Sequence, residues 1–189
     1  MYSTIFRVEY SKDFIDKLNK GDRITQRNLY ESCSAKMYGV CVRYVCNSDI
    51  AQDILHDGFV KVFTSIKTFR GEGSFEGWIR RIIVNTALEY LRLRKGHLEV
   101  ELEHANGNMI DGENDGYDLT FFLGIVDELP PQYRTVFNLY AIDDWTHNEI
   151  AEKLNISEST SKSNYSRARA ILREKLEKVT DFKYEEFLR

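Results

Sequence analysis

The stretch that decides the fold is WTHNEIAEKLNISESTSKSNYSRARAILREKL, residues Trp145–Leu176. Thr146 is followed three positions later by Glu149, which fits a capping box, where each side chain bonds the backbone of the other residue at a helix start. The residues after Thr146 repeat apolar side chains at helical spacing as far as Asn155. This pattern predicts a short helix with a defined beginning and end.

A second, longer helix is expected directly after this one. Ser157 is a candidate N-cap for it, and Tyr165, Ala168 and Leu172 recur at spacings of three and four residues, which places them on one face. A short helix, a turn of three or four residues and a longer helix form the helix-turn-helix pattern.

The side chains away from the packed face of the second helix are basic or hydroxylic. Near its N-terminus, such a helix meets base edges and phosphates in a DNA groove, while the same residues on an ordinary helical hairpin would form a solvated face. The caps, the turn length and the apolar register together favour DNA binding. The candidate DNA-binding residues are Lys162, Ser163, Ser166, Arg167 and Arg169.

The charge of the chain is unevenly distributed. The formal net charge is -4, yet residues 1–95 hold 16 Lys and Arg against 11 Asp and Glu, and residues 96–129 hold 9 acidic residues and no basic one. One short segment therefore makes the protein acidic, and local fields decide which polyanion docks. We expect residues 96–119, which contain several glycines and no sustained periodicity, to form a flexible acidic linker.

Both sides of this segment show helical periodicity, and no strand-like alternation of comparable length competes with it. Apolar residues recur at helical spacing through residues 29–44, 50–66 and 75–91, and Pro130 and Pro131 suit the first turn of a helix in the second half. The predicted fold class is all-α: a helical domain at 1–95, the linker at 96–119 and a helix-turn-helix domain at 120–189.

The first domain contains a second candidate nucleic-acid site. The segment FRGEGSF, Phe69–Phe75, breaks the helical pattern with two glycines, and the helix after it carries several basic residues. A flexible loop beside a basic helix can form a pocket for a base pulled from the duplex. Trp78 and Phe75 could stack on exposed bases, although their helical spacing favours a core position for Trp78. The candidates to follow a phosphate backbone are Arg80, Arg81, Arg92, Arg94 and Lys95.

Other classes of function find little support. The four histidines lie on unrelated segments, there is no HExxH or phosphate-cradling glycine motif, and the three cysteines lack CxxC spacing. We therefore predict no catalytic residue, metal or cofactor. No apolar run approaches membrane-spanning length and the N-terminal residues do not resemble a signal peptide, so a cytoplasmic protein that is not membrane-embedded is expected.

The two halves together resemble the extracytoplasmic-function (ECF) group of the sigma-70 class of bacterial RNA polymerase sigma factors. The segment NSDIAQDILHDGFVKVFTSIKTFRGEGSFEGWIRRIIVNTALEYLRLRK is similar to sigma region 2, and ELPPQYRTVFNLYAIDDWTHNEIAEKLNISESTSKSNYSRARAILREKL is similar to sigma region 4. The resemblance covers almost the whole chain. It implies a protein that binds core RNA polymerase, recognises and melts promoter DNA, and starts transcription.

The resemblance also implies roles for individual residues. The helix from Ile50 to Ile66 would dock on the polymerase through Asp53, Asp57, Phe59 and Phe63. The second helix of the helix-turn-helix would read the minus-thirty-five element. The minus-ten element would be recognised, melted and held, as a flipped base, by residues of the loop and the helix after it: Arg70, Ser74, Phe75, Arg80, Arg81, Asn85 and Arg92.

The family resemblance further implies an anti-sigma factor as a partner. The sequence departs from the family pattern at Gly58, where a larger residue is usual, at Ser161, where an apolar residue commonly packs, and at Asn164, where Arg is common. An alternative from another class is a regulator that binds a palindromic operator as a dimer without polymerase, with the first half sensing a ligand or phosphate.

Overall fold

The computed structural model describes residues 10–95 and 116–177, with side chains for 10–94 and 121–177. The chain divides into two compact units, Met1–Ala105 and Asn106–Arg189. Every regular element in the described residues is helical, which confirms the all-α prediction. The expected linker lies outside the described residues except for positions 116–119, which already belong to the first helix of the second unit.

In its described residues, 10–95, the first unit contains four helices, and capping side chains fix where they start. Asp22 and Asn47 accept hydrogen bonds of 2.9 Å from the backbone N–H groups three residues later. Cys46 ends the second helix in the left-handed conformation, with φ at 48°. The helices are α1 (Lys12–Asn19), α2 (Arg23–Val45), α3 (Ser48–Ser65) and α4 (Phe75–Lys95), with a single 3-10 turn, Ile66–Thr68, after α3.

The core of the first unit lies where α2, α3 and α4 pack against one another. Met37, Leu55 and Ile79 are among its buried side chains, as the helical periodicity predicted. Gly58 lies at the closest approach of α3 and α4: a Cβ atom at this position would stand 2.3 Å from Cδ1 of Ile83. Ile83 is itself fully buried, so it fills the space that a larger residue at position 58 would occupy.

Between residues 116 and 177, the second unit contains four α-helices around an apolar core. Pro131 occupies the first turn of the second of them, as predicted. The core joins residues such as Val126, Phe137 and Leu172 from different helices. The helices are α5 (Gly116–Asp127), α6 (Pro131–Phe137), α7 (His147–Leu154) and α8 (Glu158–Glu177).

The connection between α6 and α7 was not predicted. The chain leaves α6 in a five-residue π-helical segment, Asn138–Ile142, and then adopts a left-handed conformation at Asp144, with φ at 56°. The N–H of Trp145 donates to the carbonyl of Leu139 over 2.9 Å, which closes this connection. The next residue begins the helix-turn-helix.

Candidate nucleic-acid interface

The first helix of the helix-turn-helix begins with the predicted capping box. The N–H of Glu149 donates to Oγ1 of Thr146 over 3.2 Å, and the N–H of Thr146 donates to Oε2 of Glu149 over 2.9 Å. The helix ends at Asn155, which is left-handed with φ at 53°. Both ends of α7 are therefore fixed by local interactions that the sequence signals directly.

The second helix, α8, is held in the predicted register. Its cap is Ser157, whose Oγ accepts from the N–H of Thr160 over 3.0 Å. Ala168 and Leu172 are fully buried and Tyr165 packs against the same core. The turn and the inner face of α8 thus agree with the helix-turn-helix prediction.

The exposed flank of α8 consists of Lys162, Ser163, Ser166 and Arg167, all of which are exposed. Lys162 forms an ion pair with Glu158, with Nζ and Oε1 2.6 Å apart. The hydroxyl of Ser163 donates to the carbonyl of Thr160 over 3.0 Å. Because an exposed ion pair is weak, Lys162 can exchange Glu158 for a phosphate at little cost.

Arg169 does not share this flank. It lies two residues, or about 200° around the helix, from Arg167, and it is partly buried. Its guanidinium lies over the ring of Tyr165, with the carbon 5.8 Å from the ring centroid. Grouping Arg169 with the exposed residues is therefore not supported by its position. Its position fits packing on the edge of the core better than a base contact.

Two polar residues of α8 that depart from the family pattern are buried. Ser161 is fully buried, and its Oγ lies 2.9 Å from Nδ1 of His147 at the start of α7. His147 stacks on Tyr140, with ring centroids 4.2 Å apart. Burial lowers the pKa of His147, and the nearby Lys162 lowers it further.

A polar contact thus joins the two helices where an apolar one was expected. Asn164 is also buried, with 8% of its surface exposed, so it is not available on the outer flank. Both positions depart visibly from the family pattern, but the pairing of Ser161 with His147 was not predicted. The fourteen-residue separation of the pair carries no local signal.

The glycine loop of the first unit is exposed throughout residues 70–74. Gly71 and Gly73 have φ angles of 77° and 79°, which residues with a side chain rarely adopt, and no atom lies within 4 Å of the place that a Cβ would take on either glycine. Ser74 lies directly before α4, and its Oγ accepts from the N–H of Gly77 over 3.3 Å. Arg70 is therefore an exposed basic group on a loop that carries little side-chain bulk.

An aromatic cluster lies at the two ends of this loop. Phe69 and Phe75 flank it, with ring centroids 4.9 Å apart, and Trp78 contacts both rings. Phe75 is only 6% exposed, so its ring supports the loop from beneath and is not free to contact a base. Trp78 is partly buried, so it borders the core and does not lie fully within it, the position that its helical spacing had favoured.

The helix α4 presents one polar face beyond the loop. At 100° per residue, Arg81, Asn85 and Arg92 fall within about 40° of one another, and none of them is buried. Asn85 lies about 15 Å along the helix axis from Phe75, at 1.5 Å per residue. Arg80 is partly buried and lies about 100° from Arg81, outside this face. The loop and Asn85 are therefore suited to contact different nucleotides.

The candidate polymerase-docking helix, α3, also shows which of its predicted residues are accessible. Asp53 and Asp57 are exposed one turn apart, whereas Phe59 is buried with 2% of its surface exposed, and Phe63 is partly buried. Val60, which sequence analysis did not select, is 61% exposed and lies seven residues after Asp53, on the same face. The spacing of seven residues from Asp53 was the sequence signal that could have placed Val60 on this face. Phe59 is a core residue of the unit.

Neither a metal-binding cluster nor a membrane-spanning helix occurs in the part of the chain that the structure describes. Within residues 10–95 and 116–177, no group of three or more His, Cys, Asp or Glu side chains is placed to hold a metal ion. Among these same residues, no helix is both long and apolar enough to cross a bilayer.

These elements define a helical protein with a helix-turn-helix in its second unit. Two family models match the chain: Sigma-70 region 2 over residues 29–96, and Sigma-70, region 4, over residues 122–172. The chain is 31% identical over 141 residues to RNA polymerase sigma factor SigV of Bacillus subtilis, covering 75% of this chain and 84% of that protein.

Two other relatives match over more of their length. The ECF RNA polymerase sigma-E factor of Haemophilus influenzae is 26% identical over 183 residues, covering 86% of this chain and 93% of the relative. The ECF sigma factor SigW of Bacillus subtilis is 29% identical over 179 residues, covering 87% and 96%.

Two solved structures share the fold. The sigma factor RpoE in complex with the anti-sigma factor NepR, from Bartonella quintana, gives a TM-score of 0.54 at 20% identity over 80% of this chain and 96% of that one. CnrH in complex with the cytosolic domain of CnrY gives 0.52 at 19% identity, over 89% and 98%.

The chain belongs to the sigma-70 class of RNA polymerase sigma factors, in the ECF group. Its function is promoter recognition and the initiation of transcription with RNA polymerase, as the sequence resemblance predicted.

Proposed function

We propose that the two units divide the promoter between them. Residues 1–95 act as the sigma region 2 domain, which docks on core polymerase and opens the minus-ten element. Residues 120–189 act as the sigma region 4 domain on the minus-thirty-five element, and residues 96–119 link the two. The observation that carries this proposal is that each unit presents an exposed polar or basic face on a well-anchored helix, α4 in one and α8 in the other.

The minus-thirty-five contact is assigned to the flank of α8. Arg167 is exposed and lies 3.5 Å from the hydroxyl of Tyr133, an interaction weak enough to be given up for a guanine, which Arg binds through two hydrogen bonds. Lys162 supplies a phosphate or base contact. Ser163 and Ser166 are short enough to let the helix approach the groove closely. Arg169 contributes indirectly, by packing on Tyr165.

The minus-ten contact is assigned to the loop and to the polar face of α4. Arg81 and Arg92 follow the phosphates, while Asn85 between them offers an amide that can pair with a base edge. Arg70 and the backbone of the glycine loop receive the strand at the start of α4. Because bases in a single strand are unstacked at little cost, this surface favours melted over duplex DNA.

Docking on core polymerase is assigned to the outer face of α3. Asp53 and Asp57 provide the charge and Val60 provides an exposed apolar contact at its centre. Phe59 holds this face in place from the core, and Phe63 borders it. We assign no catalytic step to the chain, since the polymerase supplies the chemistry of RNA synthesis.

A further proposal concerns regulation and location. The solved structures that share this fold include one of a sigma factor with its anti-sigma factor. We assign an anti-sigma partner to this chain too, acting in the cytoplasm by covering the faces that bind polymerase. A pull-down with the purified chain from its native cell extract, followed by mass spectrometry, tests for this partner. Recovery of polymerase subunits alone under all growth conditions would count against it.

The central experiment is reconstitution with purified core RNA polymerase. The chain should co-purify with the core enzyme as a 1:1 complex, and the complex should start transcription at promoters mapped after overproduction of the protein in cells. Binding to a palindromic DNA site as a dimer without polymerase, or no association with core enzyme, would contradict the proposal.

A further inference from the structure

Tyr10 lies against the aromatic cluster that flanks the glycine loop. Its ring is 5.1 Å from that of Phe75, in an edge-to-face arrangement at 77°, and 5.1 Å from that of Phe14 in α1. Its hydroxyl lies 3.3 Å from Oγ of Ser32 in α2. A residue before the first helix is therefore joined to the residue that ends the loop.

These contacts form a continuous row of rings from α1 to the loop. The row runs from Phe14 through Tyr10 to Phe75, and Phe75 in turn contacts Phe69 and Trp78. The helix α1 also packs on the 3-10 turn Ile66–Thr68, which leads directly into Phe69. Both ends of the loop are thus supported by the N-terminal helix and the residue before it.

The loop needs this support because it has little of its own. Residues 70–74 are exposed, and Gly71 and Gly73 have no neighbour within 4 Å of the position of a Cβ atom. Its conformation is consequently set at its ends, and Phe75 is the end that leads into α4. A ring that packs edge-on against Phe75 limits the rotation of that side chain and of the backbone next to it.

We propose that Tyr10 is a positioning residue for the melted minus-ten strand: its ring holds Phe75, and through Phe75 the Arg70–Ser74 loop, in the conformation that receives the strand. This rests on the assignment of the loop and α4 to the minus-ten element. Tyr10 acts through Phe75 and makes no contact with DNA itself. The ring carries the effect, and the hydroxyl of Tyr10 serves to orient it toward Ser32.

The test measures binding of a single-stranded minus-ten oligonucleotide to the complex of the full chain with core polymerase. Tyr10→Ala and Tyr10→Leu should each weaken this binding about two- to tenfold, the factor that corresponds to one aromatic pair. Tyr10→Phe, which keeps the ring, should bind within about twofold of the unchanged chain. Affinity for core polymerase and the thermal unfolding midpoint of the free chain are measured for each variant.

Two further variants separate the possible outcomes. Phe14→Ala removes the ring on the other side of Tyr10. Among the described residues, the ring of Phe14 makes no contact with that of Phe75, so this substitution should reduce oligonucleotide binding less than Tyr10→Ala does. Asn85→Ala tests the proposed DNA face directly. If Asn85→Ala weakens binding and both Tyr10→Ala and Tyr10→Leu do not, the role of Tyr10 is wrong while the minus-ten site stands.

Other results overturn the proposal in recognisable ways. An equal loss of oligonucleotide binding and core binding in Tyr10→Leu, with a lower unfolding midpoint, would show that Tyr10 only stabilises the unit. Loss in Tyr10→Phe as large as in Tyr10→Ala would exclude a role of the ring. If the unchanged complex binds no promoter strand, both this proposal and the minus-ten assignment fail.

Discussion

At the scale of single residues, the contact between α3 and α4 depends on the absence of a side chain at Gly58. A Cβ atom there would stand 2.3 Å from Cδ1 of the buried Ile83, closer than real contacts allow. In this chain the side chain of Ile83 on α4 fills the space that is left by the missing side chain of Gly58 on α3.

This packing predicts that the effect of Gly58→Ala on stability changes sign with the residue at position 83. Gly58→Ala should destabilise the protein by about 1 kcal/mol, since overpacking outweighs the gain in helix propensity. In a chain that already carries Ile83→Val, which lacks Cδ1, Gly58→Ala should instead stabilise. Urea unfolding followed by circular dichroism measures both.

The control for Gly58→Ala is Gly39→Ala. Gly39 also lies inside a helix, but no atom is within 4 Å of its Cβ position, so alanine there should stabilise by up to about 1 kcal/mol. Destabilisation of similar size at both glycines, or in both backgrounds at position 58, would refute the packing explanation.

The contact between His147 and Ser161 gives a second prediction, on pH. Burial lowers the pKa of His147 in the folded chain, so the unfolded chain binds the proton more readily. The contribution of this group to stability is complete above its ordinary pKa of about 6.5 and is lost as the pH falls below it. The unfolding midpoint of the second unit should therefore drop between pH 7 and pH 5.

Substitution isolates the histidine from the carboxylates that also titrate in this range. His147→Gln should flatten the dependence of the unfolding midpoint on pH between 7 and 5, while His56→Gln, in the first unit, serves as the matched control. Identical slopes for the unchanged chain and His147→Gln would mean that His147 does not titrate with folding.

At the scale of elements, the two helices of the helix-turn-helix divide between anchoring and reading. The capping box at Thr146 and the left-handed Asn155 fix α7, and the buried Ala168 and Leu172 fix the rotation of α8. The rotation of α8 decides which of its side chains face outward, so the exposed position of Arg167 follows from the buried residues on the opposite side of the helix. Arg169, only two residues further, is turned toward Tyr165 by the same constraint.

Arg167→Ala should therefore lower use of a cognate promoter without lowering affinity for core polymerase. The expected loss is about five- to 150-fold, the range for one bidentate base contact of about 1–3 kcal/mol. Runoff transcription measures promoter use, and co-purification measures core binding. Arg173→Ala, an exposed arginine on a different face of α8, is the control. A loss in both assays, or the same loss at Arg173, would argue against a base contact.

The elements also show what sequence could and could not predict. The capping box, Pro131 and the face containing Ala168 and Leu172 were predictable because each signal lies within a few residues. Phe59 and Phe75 belong to apolar series at helical spacing, which favours burial, yet the family resemblance placed them among contact residues. The spacing did not decide between the two, since α3 and α4 each have neighbours on more than one side and their buried faces are wider than a single apolar stripe. Helical period alone cannot separate the centre of such a face from its edge.

The remaining surprises at this scale come from contacts between distant residues. Ser161 was recognised as unusual, yet its partner His147 belongs to another helix, and the π-helical segment Asn138–Ile142 carries no known local signature. Tyr10 reaches Phe75 across 65 positions of sequence. Such pairs depend on the packing of helices, which single-sequence patterns do not encode.

At the scale of the whole molecule, the excess of acidic residues and the excess of basic residues lie in different parts of the chain. The chain is acidic overall because residues 96–129 hold nine acidic residues and no basic one, while the faces assigned to DNA carry arginine and lysine. On the proposed division of the promoter, its affinity is the sum of contributions from two surfaces in separate compact units, each with its own buried core.

This arrangement predicts that substitutions in the two units act independently once polymerase holds both. Asn85 lies in the first unit and Arg167 in the second, so each substitution changes a different local surface. Their effects on the free energy of promoter binding should therefore add within about 0.5 kcal/mol. Equilibrium binding of the polymerase complex to one promoter, for the unchanged chain, both single variants and the double variant, measures this.

The matched cycle pairs Arg81→Ala with Asn85→Ala, which lie on the same face of α4 one turn apart and should not add, because both contact the same stretch of strand. Additivity across units together with coupling within α4 is the result expected for two separate promoter contacts. Strong coupling between Asn85 and Arg167 would mean that the two units read DNA as one surface, and the division of the promoter between them would have to be abandoned.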